Sequence, residues 1–147
     1  MPTETRTIER RIEEAVKTLF PTTHTIDSIA VVMHINGNNS VEKNALFCDV
    51  VCRELAIVPG HESLKDYSAI IELAAISQIV EDADEINCDK LAKILQDFLI
   101  SSVTKSALST GSGLTIDAVI FDRADKANNP DYAIKTCSAK IYMQNAI

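Results

Sequence analysis

Four cysteines, three histidines and one dense run of carboxylates are the side chains in this sequence whose types could do chemistry. Cys48 and Cys52 stand four positions apart, and Arg53 follows the second. A thiol becomes a nucleophile when it is accessible and a nearby cation lowers its pKa, so Cys52 beside Arg53 is the nearest candidate. A metal would need both sulfurs within bonding reach of one ion. On a strand the pair lies about 13 Å apart, which is too far; on a helix it shares a face. All four thiols, Cys48, Cys52, Cys88 and Cys137, sit among apolar neighbours, a pattern that reads as reduced and buried. His24, His34 and His61 are scattered, and His34 has no second histidine or carboxylate at ligand spacing. Glu81, Asp82, Asp84, Glu85 and Asp89 form the acidic run. It lacks the glycine and the regular ligand positions of a calcium loop, and it reads instead as the start of a helix. Gly111-Ser-Gly113 has neither the preceding strand nor the Gly-Lys-Ser/Thr of a phosphate loop. The sequence also holds no nucleophile elbow, dinucleotide fingerprint or His-Glu-x-x-His. No cofactor and no catalytic or metal site is expected.

The chain has 147 residues, the size of one domain, and a fold of this size hides roughly 70% of its unfolded surface. Hydrophobic residues make up 46% and aromatics only 5%, so the core must be aliphatic. Fourteen basic against twenty-one acidic residues give a net charge of −7. That balance argues against a grip on nucleic acid, which needs cations to displace counterions, and against a polybasic membrane contact. It is compatible with a passage through which DNA slides, because like charges repel. The N-terminal Met-Pro-Thr-Glu-Thr-Arg is charged and unlike a signal peptide, and no apolar run reaches the roughly 18 residues that span a bilayer. A soluble protein made in a cytoplasm is expected.

The elements that must position these residues follow from periodicity. Residues 4–20 predict a helix, with Ile8, Ile12, Ala15, Val16, Leu19 and Phe20 on one stripe. Thr3 or Thr5 would cap it, Glu13 and Lys17 would pair on its wet face, and Pro21 would stop it. Residues 28–35 are β-rich and end at Asn36-Gly37. Residues 45–55 alternate, with Leu46, Cys48, Val50 and Cys52 on one face; a short helix capped by Asn39 competes, and Val50-Val51 and Phe47 favour the strand. Pro59-Gly60 and residues 61–66 read as turn and loop. Residues 67–80 fit either element: isoleucines favour strand, alanines favour helix, and the acidic break that follows points to a strand. Asp82 with Glu85 forms a capping box for a helix over 82–103, whose Cys88, Leu91, Leu95 and Phe98 must lie on a sheet. Residues 104–113 read as a Ser- and Gly-rich connector. The tail predicts a β-hairpin whose long loop, 122–131, is a candidate contact arm. Together these elements give one α+β domain with a single antiparallel or mixed β-sheet, packed by the N-terminal helix and the helix near 82–103 and closed by the C-terminal hairpin.

This order resembles a known layout. An N-terminal amphipathic helix is followed by a β segment from Ile29 to Gly37 and a strand Cys48-Asp-Val-Val-Cys-Arg-Glu-Leu55. A Pro59-Gly60 loop leads to Ser68-Ala-Ile-Ile-Glu-Leu-Ala-Ala-Ile-Ser77, then an Asp82-centred break, a helix with Leu91 and Leu99, and the hairpin. The arrangement is similar to the tail-terminator and tail-completion (head–tail joining) proteins of tailed bacteriophages. The resemblance implies a structural virion protein and not an enzyme. It implies a homo-oligomeric ring, a hexamer, that caps the tail tube and joins it to the neck proteins while DNA passes through without specific binding. Such a protein would be made in the host cytoplasm and end in the virion. The implied contacts fall on the charged face of the first helix, Glu9, Arg10 and Glu13, on the loop carrying His61, Glu62 and Lys65, and on the hairpin loop carrying Asp122, Arg123, Asp125 and Lys126. Plain solvated charge is the competing reading of the helix face. Other readings of the chain are another neck or tail component, a small enzyme using Cys52, His61 or the 81–89 carboxylates, and a binding module for another protein.

Overall fold

A computed structural model of the chain describes residues 5–19, 25–26, 29–31, 33–35, 46–58, 66–78, 82–101, 104–126 and 131–144. The elements run α1 (Ile8–Leu19), β1 (Thr25–Ile26), β2 (Ile29–Ala30), β3 (Met33–Ile35), β4 (Leu46–Ile57), β5 (Asp66–Gln78), α2 (Asp82–Ile100), α3 (Thr104–Ser112), β6 (Thr115–Lys126) and β7 (Tyr132–Gln144). Strands β3-β4-β5-β7-β6 form one five-stranded sheet, and β1 with β2 forms a separate two-stranded ladder. β3 runs parallel to β4, and every other pairing in the large sheet is antiparallel. The fold is therefore α+β with a mixed sheet and a C-terminal hairpin, as the periodicity predicts. The expected strand over 28–35 is divided into β2 and β3, with Val31 between them.

β5 decides the architecture. It is the central strand, paired over its length with β7 on one side and with β4 on the other. Ala69, Ile71, Leu73, Ala75 and Ser77 are buried, while the alternate residues Ile70, Glu72, Ala74 and Ile76 are half-buried. Pairing on both edges satisfies the backbone of a segment whose alanines and isoleucines pull in opposite directions. β4 shows the same alternation, with Leu46, Cys48, Val50 and Cys52 facing the core.

The three described helices pack on that core face. α1 lies on β3 and β4, α2 lies on β5 and β7, and α3 joins α1 to β6. α2 inserts Cys88, Leu91, Ala92, Leu95 and Leu99, all buried, with Phe98 only partly so. It ends at Ile100, before the expected 103. The expected Asp82 cap lies outside the described side chains.

α1 starts later than expected. Its first helical residue is Ile8, and Thr7, not Thr3 or Thr5, accepts the Arg10 N–H at 3.1 Å. That is an N-cap bond to the third residue of the helix. Phe20 and Pro21 lie outside the described residues.

The segment read as a connector, 104–113, is a helix instead. Leu108 is fully buried and anchors it, with Thr104 and Ser112 buried one turn to either side. Its hydroxyls turn inward on the backbone: Thr104 Oγ1 donates to the Phe98 carbonyl, Ser109 Oγ to the Lys105 carbonyl at 2.9 Å and Ser112 Oγ to the Leu108 carbonyl at 2.6 Å. The same hydroxyls accept from the next strand, Ser112 from Leu114 N–H and Ser109 from Ile116 N–H. Gly113, at φ 73°, ends the helix by donating to the Ser109 carbonyl at 3.0 Å. Arg11 of α1 donates to the Ser112 carbonyl at 3.0 Å and ties the two helices together. Gly111 permits their close approach, since a Cβ there would stand 3.1 Å from the Ala15 Cβ.

Candidate functional site

The sequence-predicted contact residues fall into three groups. On α1, Arg10 is exposed and Glu9 half-buried. Arg10 Nε meets Glu14 at 3.2 Å, and Arg6 donates to the same carboxylate from the chain before the helix. The Arg6 hydrogen bond, offset in part by desolvation and joined by Arg10, holds the Glu14 carboxyl below its ordinary pKa.

Glu13 is not on the wet face. It is 8% exposed, and its carboxylate accepts the backbone N–H of Cys52 at 2.9 Å. The described part of β3 pairs with β4 as far as Val50, and Cys52 stands two residues further along β4. The Glu13 side chain brings its donor an acceptor from α1. No feature of the α1 sequence separates Glu13 from a solvated glutamate, except its place at the margin of the apolar stripe beside Ile12.

The second group, His61, Glu62 and Lys65, lies outside the described residues. The third group is displaced from a loop to a strand. β6 continues to Lys126 and β7 begins at Tyr132, so Asp122, Arg123, Asp125 and Lys126 stand on the sheet edge and not on a ten-residue arm. All four are exposed. Arg123 meets Asp125 at 3.7 Å, and Ser138 Oγ donates to Asp122 at 3.5 Å. The structure does not join this group to the first: α1 covers β3 and β4, while β6 is the far edge of the sheet.

Sequence reasoning missed Lys135. It sits directly opposite Lys126 in the hairpin and forms an ion pair with Asp89 of α2. The Asp89 hydrogen bond raises the Lys135 pKa. Lys126, Lys135, Gln96, Ala124 and Asp125 line an open groove of about 400 Å³ between α2 and the hairpin. A second open groove, about 280 Å³, lies further along the same seam beside Ile100, Lys105 and Val119.

The thiols are withdrawn from chemistry. All four cysteines are free and buried. Burial is the largest cause of a raised pKa at each: Cys48, Cys52 and Cys137 are pushed up to about 12 and Cys88 to about 11. Arg53, next to Cys52 in sequence, points elsewhere, pairing with Glu54 and with Glu72 at 3.1 Å. A strand sends neighbouring side chains to opposite faces, so adjacency in sequence does not bring that cation to the thiol. Among the described residues no group of three or more His, Cys, Asp and Glu is placed to hold a metal ion.

What the geometry offers is surface. The second face of the sheet carries no described helix. Register places Phe47, Ile76 and Ile134 in one row across it, then Asp49, Ala74, Thr136 and Asp125, then Val51, Glu72, Ser138 and Arg123, then Arg53, Ile70, Lys140 and Ile120. The first row is apolar and the other three mix charged residues with apolar or polar ones, and Ile120 is 53% exposed. No described helix is long and apolar enough to cross a membrane. Neither a protein-family model nor any curated protein matches the chain.

Proposed function

We propose that this chain is a structural virion protein of the kind it resembles, a tail terminator or tail-completion protein. Copies assemble into a ring that caps the tail tube and joins it to the neck, and DNA passes through the centre. One observation carries the reading: the body has two broad faces that are unlike. Helices cover one side of the sheet, and the other side carries no described helix and mixes apolar, polar and charged residues. Contact between unlike faces of neighbouring copies is heterologous, and heterologous contacts close into rings when the rotation fits. The net charge of −7 supports a passage rather than a binding site for DNA, because an acidic wall repels phosphate. Raised thiol pKa values leave the cysteines suited to packing.

Mass photometry and negative-stain imaging of the purified chain across a concentration series test the proposal. The expected result is a closed assembly of fixed copy number with a central hole. A strictly monomeric protein at the highest concentration, or open filaments only, overturns it.

A further inference from the structure

The seam between α2 and the C-terminal hairpin brings two lysines together. Lys126, at the end of β6, stands directly opposite Lys135 of β7, so the two share one face of the sheet. The ion pair of Lys135 with Asp89 of α2 shows that it is the helix side. Side chains directly opposite in an antiparallel pair start about 5 Å apart, and like charges there oppose each other. Asp89 answers the charge of Lys135, whose side chain stays 27% exposed. An ammonium carries three donors, so Lys135 has donors left for a second acceptor. Lys126 has no ion-pair partner among the described residues. Both lysines line the open groove of about 400 Å³, and half-buried Gln96 lines it from α2. Asp125 lines it as well, but its carboxylate meets Arg123 at 3.7 Å.

We infer that this groove binds a phosphate monoester, whose dianion lies between Lys126 and Lys135 and accepts from the Gln96 amide. Lysine ammonium groups are point charges with rotatable donors and suit a tetrahedral oxyanion. A planar carboxylate is matched instead by the guanidinium fork of arginine, which the described lining of the groove lacks. A monoester carries about −1.5 to −2 at neutral pH and so answers both lysines, where a carboxylate or a phosphodiester brings a single charge. Small-ligand sites run about 300–1,000 Å³, and this groove falls within that range. The net charge of −7 opposes an extended polyanion such as DNA more than it opposes one phosphate. Asp89 sets the affinity, because its carboxylate competes with the ligand for Lys135. The site needs one copy of the chain and is independent of the ring.

Phosphorus NMR of inorganic phosphate tests it, with the full chain titrated in slightly above neutral pH at constant ionic strength. Circular dichroism and a urea midpoint show that each variant is folded. The expected result is saturable binding. Lys126→Gln and Lys135→Gln are each expected to raise the Kd about tenfold. Asp89→Asn removes the competitor and is expected to lower the Kd at least about threefold. Lys17→Gln on α1 and Glu54→Gln on β4 change the net charge by the same amounts away from the groove, and each is expected to leave the Kd within about twofold. No saturable binding, lysine variants that bind as the parent does, or an Asp89→Asn protein that binds no tighter overturns the inference. Controls that move the Kd as far as the groove variants overturn it too, since bulk charge then explains the binding. Acetate or a short single-stranded DNA that binds as tightly as phosphate overturns the choice of a monoester. If Asp89→Asn does not fold, Lys126→Gln, at an exposed strand end, still decides. A monomeric chain that binds phosphate counts against the ring alone, and a ring that binds none counts against the groove alone.

Discussion

Glu13→Ala is the sharpest test of how this fold is held together. The substitution removes the acceptor of a buried N–H and leaves the Cys52 donor beside an apolar core. A hydrogen bond to a charged group contributes about 1.5–3 kcal/mol net, and an orphaned buried donor costs about 1–3 kcal/mol. Both figures describe the same lost contact, so the expected destabilisation is about 2 kcal/mol. For a chain of this length that lowers the thermal midpoint by about 4–8 °C. With a urea slope of about 2 kcal/mol/M, the midpoint falls by about 1 M. Glu13→Gln keeps a neutral acceptor. Charge-assisted bonds are about twice as strong as neutral ones, so it should lose about half as much. Lys17→Ala, on the exposed side of α1, is the control and should stay within about 0.5 kcal/mol. Urea denaturation followed by circular dichroism gives all three values. Amide exchange at Cys52 adds a local reading, which should speed up in the alanine variant before global unfolding. If Glu13→Ala is no worse than Lys17→Ala, the carboxylate does not hold β4.

Stability should also fall in alkali. Burial raises all four thiols from 9.0 to about 11 or 12, so the folded state holds these protons more tightly than the unfolded chain. That stabilisation is complete below the unfolded value near 9.0 and is lost as pH rises through the folded values. The urea midpoint should therefore decline steadily between about pH 8.5 and pH 10.5, and a flat midpoint, or fast labelling of the native protein by a thiol reagent at neutral pH, would contradict it. Gly113→Ala forces a Cβ into φ 73° at the end of α3 and should lower the unfolding free energy by about 1–2 kcal/mol, read from the same urea curves.

The strands were legible in the sequence where alternation and burial coincide. Leu46, Cys48, Val50 and Cys52 alternate in the chain and all face the core, and so do Ala69, Ile71, Leu73 and Ala75. β5 was ambiguous because alanine and isoleucine pull in opposite directions, and only pairing on both edges settles that conflict. α3 was not legible for a different reason. Serine, threonine and glycine read as a linker by composition, whereas this helix rests on one buried leucine and on hydroxyls that bond within their own turns. Compensation of that kind depends on where α1 and β6 lie. Glu13 was the largest miss. A glutamate on an amphipathic helix is expected in water, and its partner is 39 residues away on a strand edge. The exposed charges at Asp122–Lys126 were found, but their place on a strand was not. Their polarity suggests a loop, and polarity is also how a sheet edge is kept from indiscriminate pairing.

The same carboxylate links stability to assembly. A sheet this long has two edges, and a chain with two open edges would polymerise rather than close. Glu13 takes the Cys52 donor of β4 beyond the described part of the edge strand β3, and it does so from α1, the helix that also caps the core over β4. Loss of that contact therefore has two consequences that separate experimentally. Destabilisation lowers the urea midpoint at any protein concentration. Freeing the Cys52 donor of β4 exposes it to strand addition and promotes association that rises with concentration. A Glu13→Ala protein that is destabilised yet assembles to the same copy number as the parent would show that the bulge at Glu54 and β3 are enough to keep that edge closed.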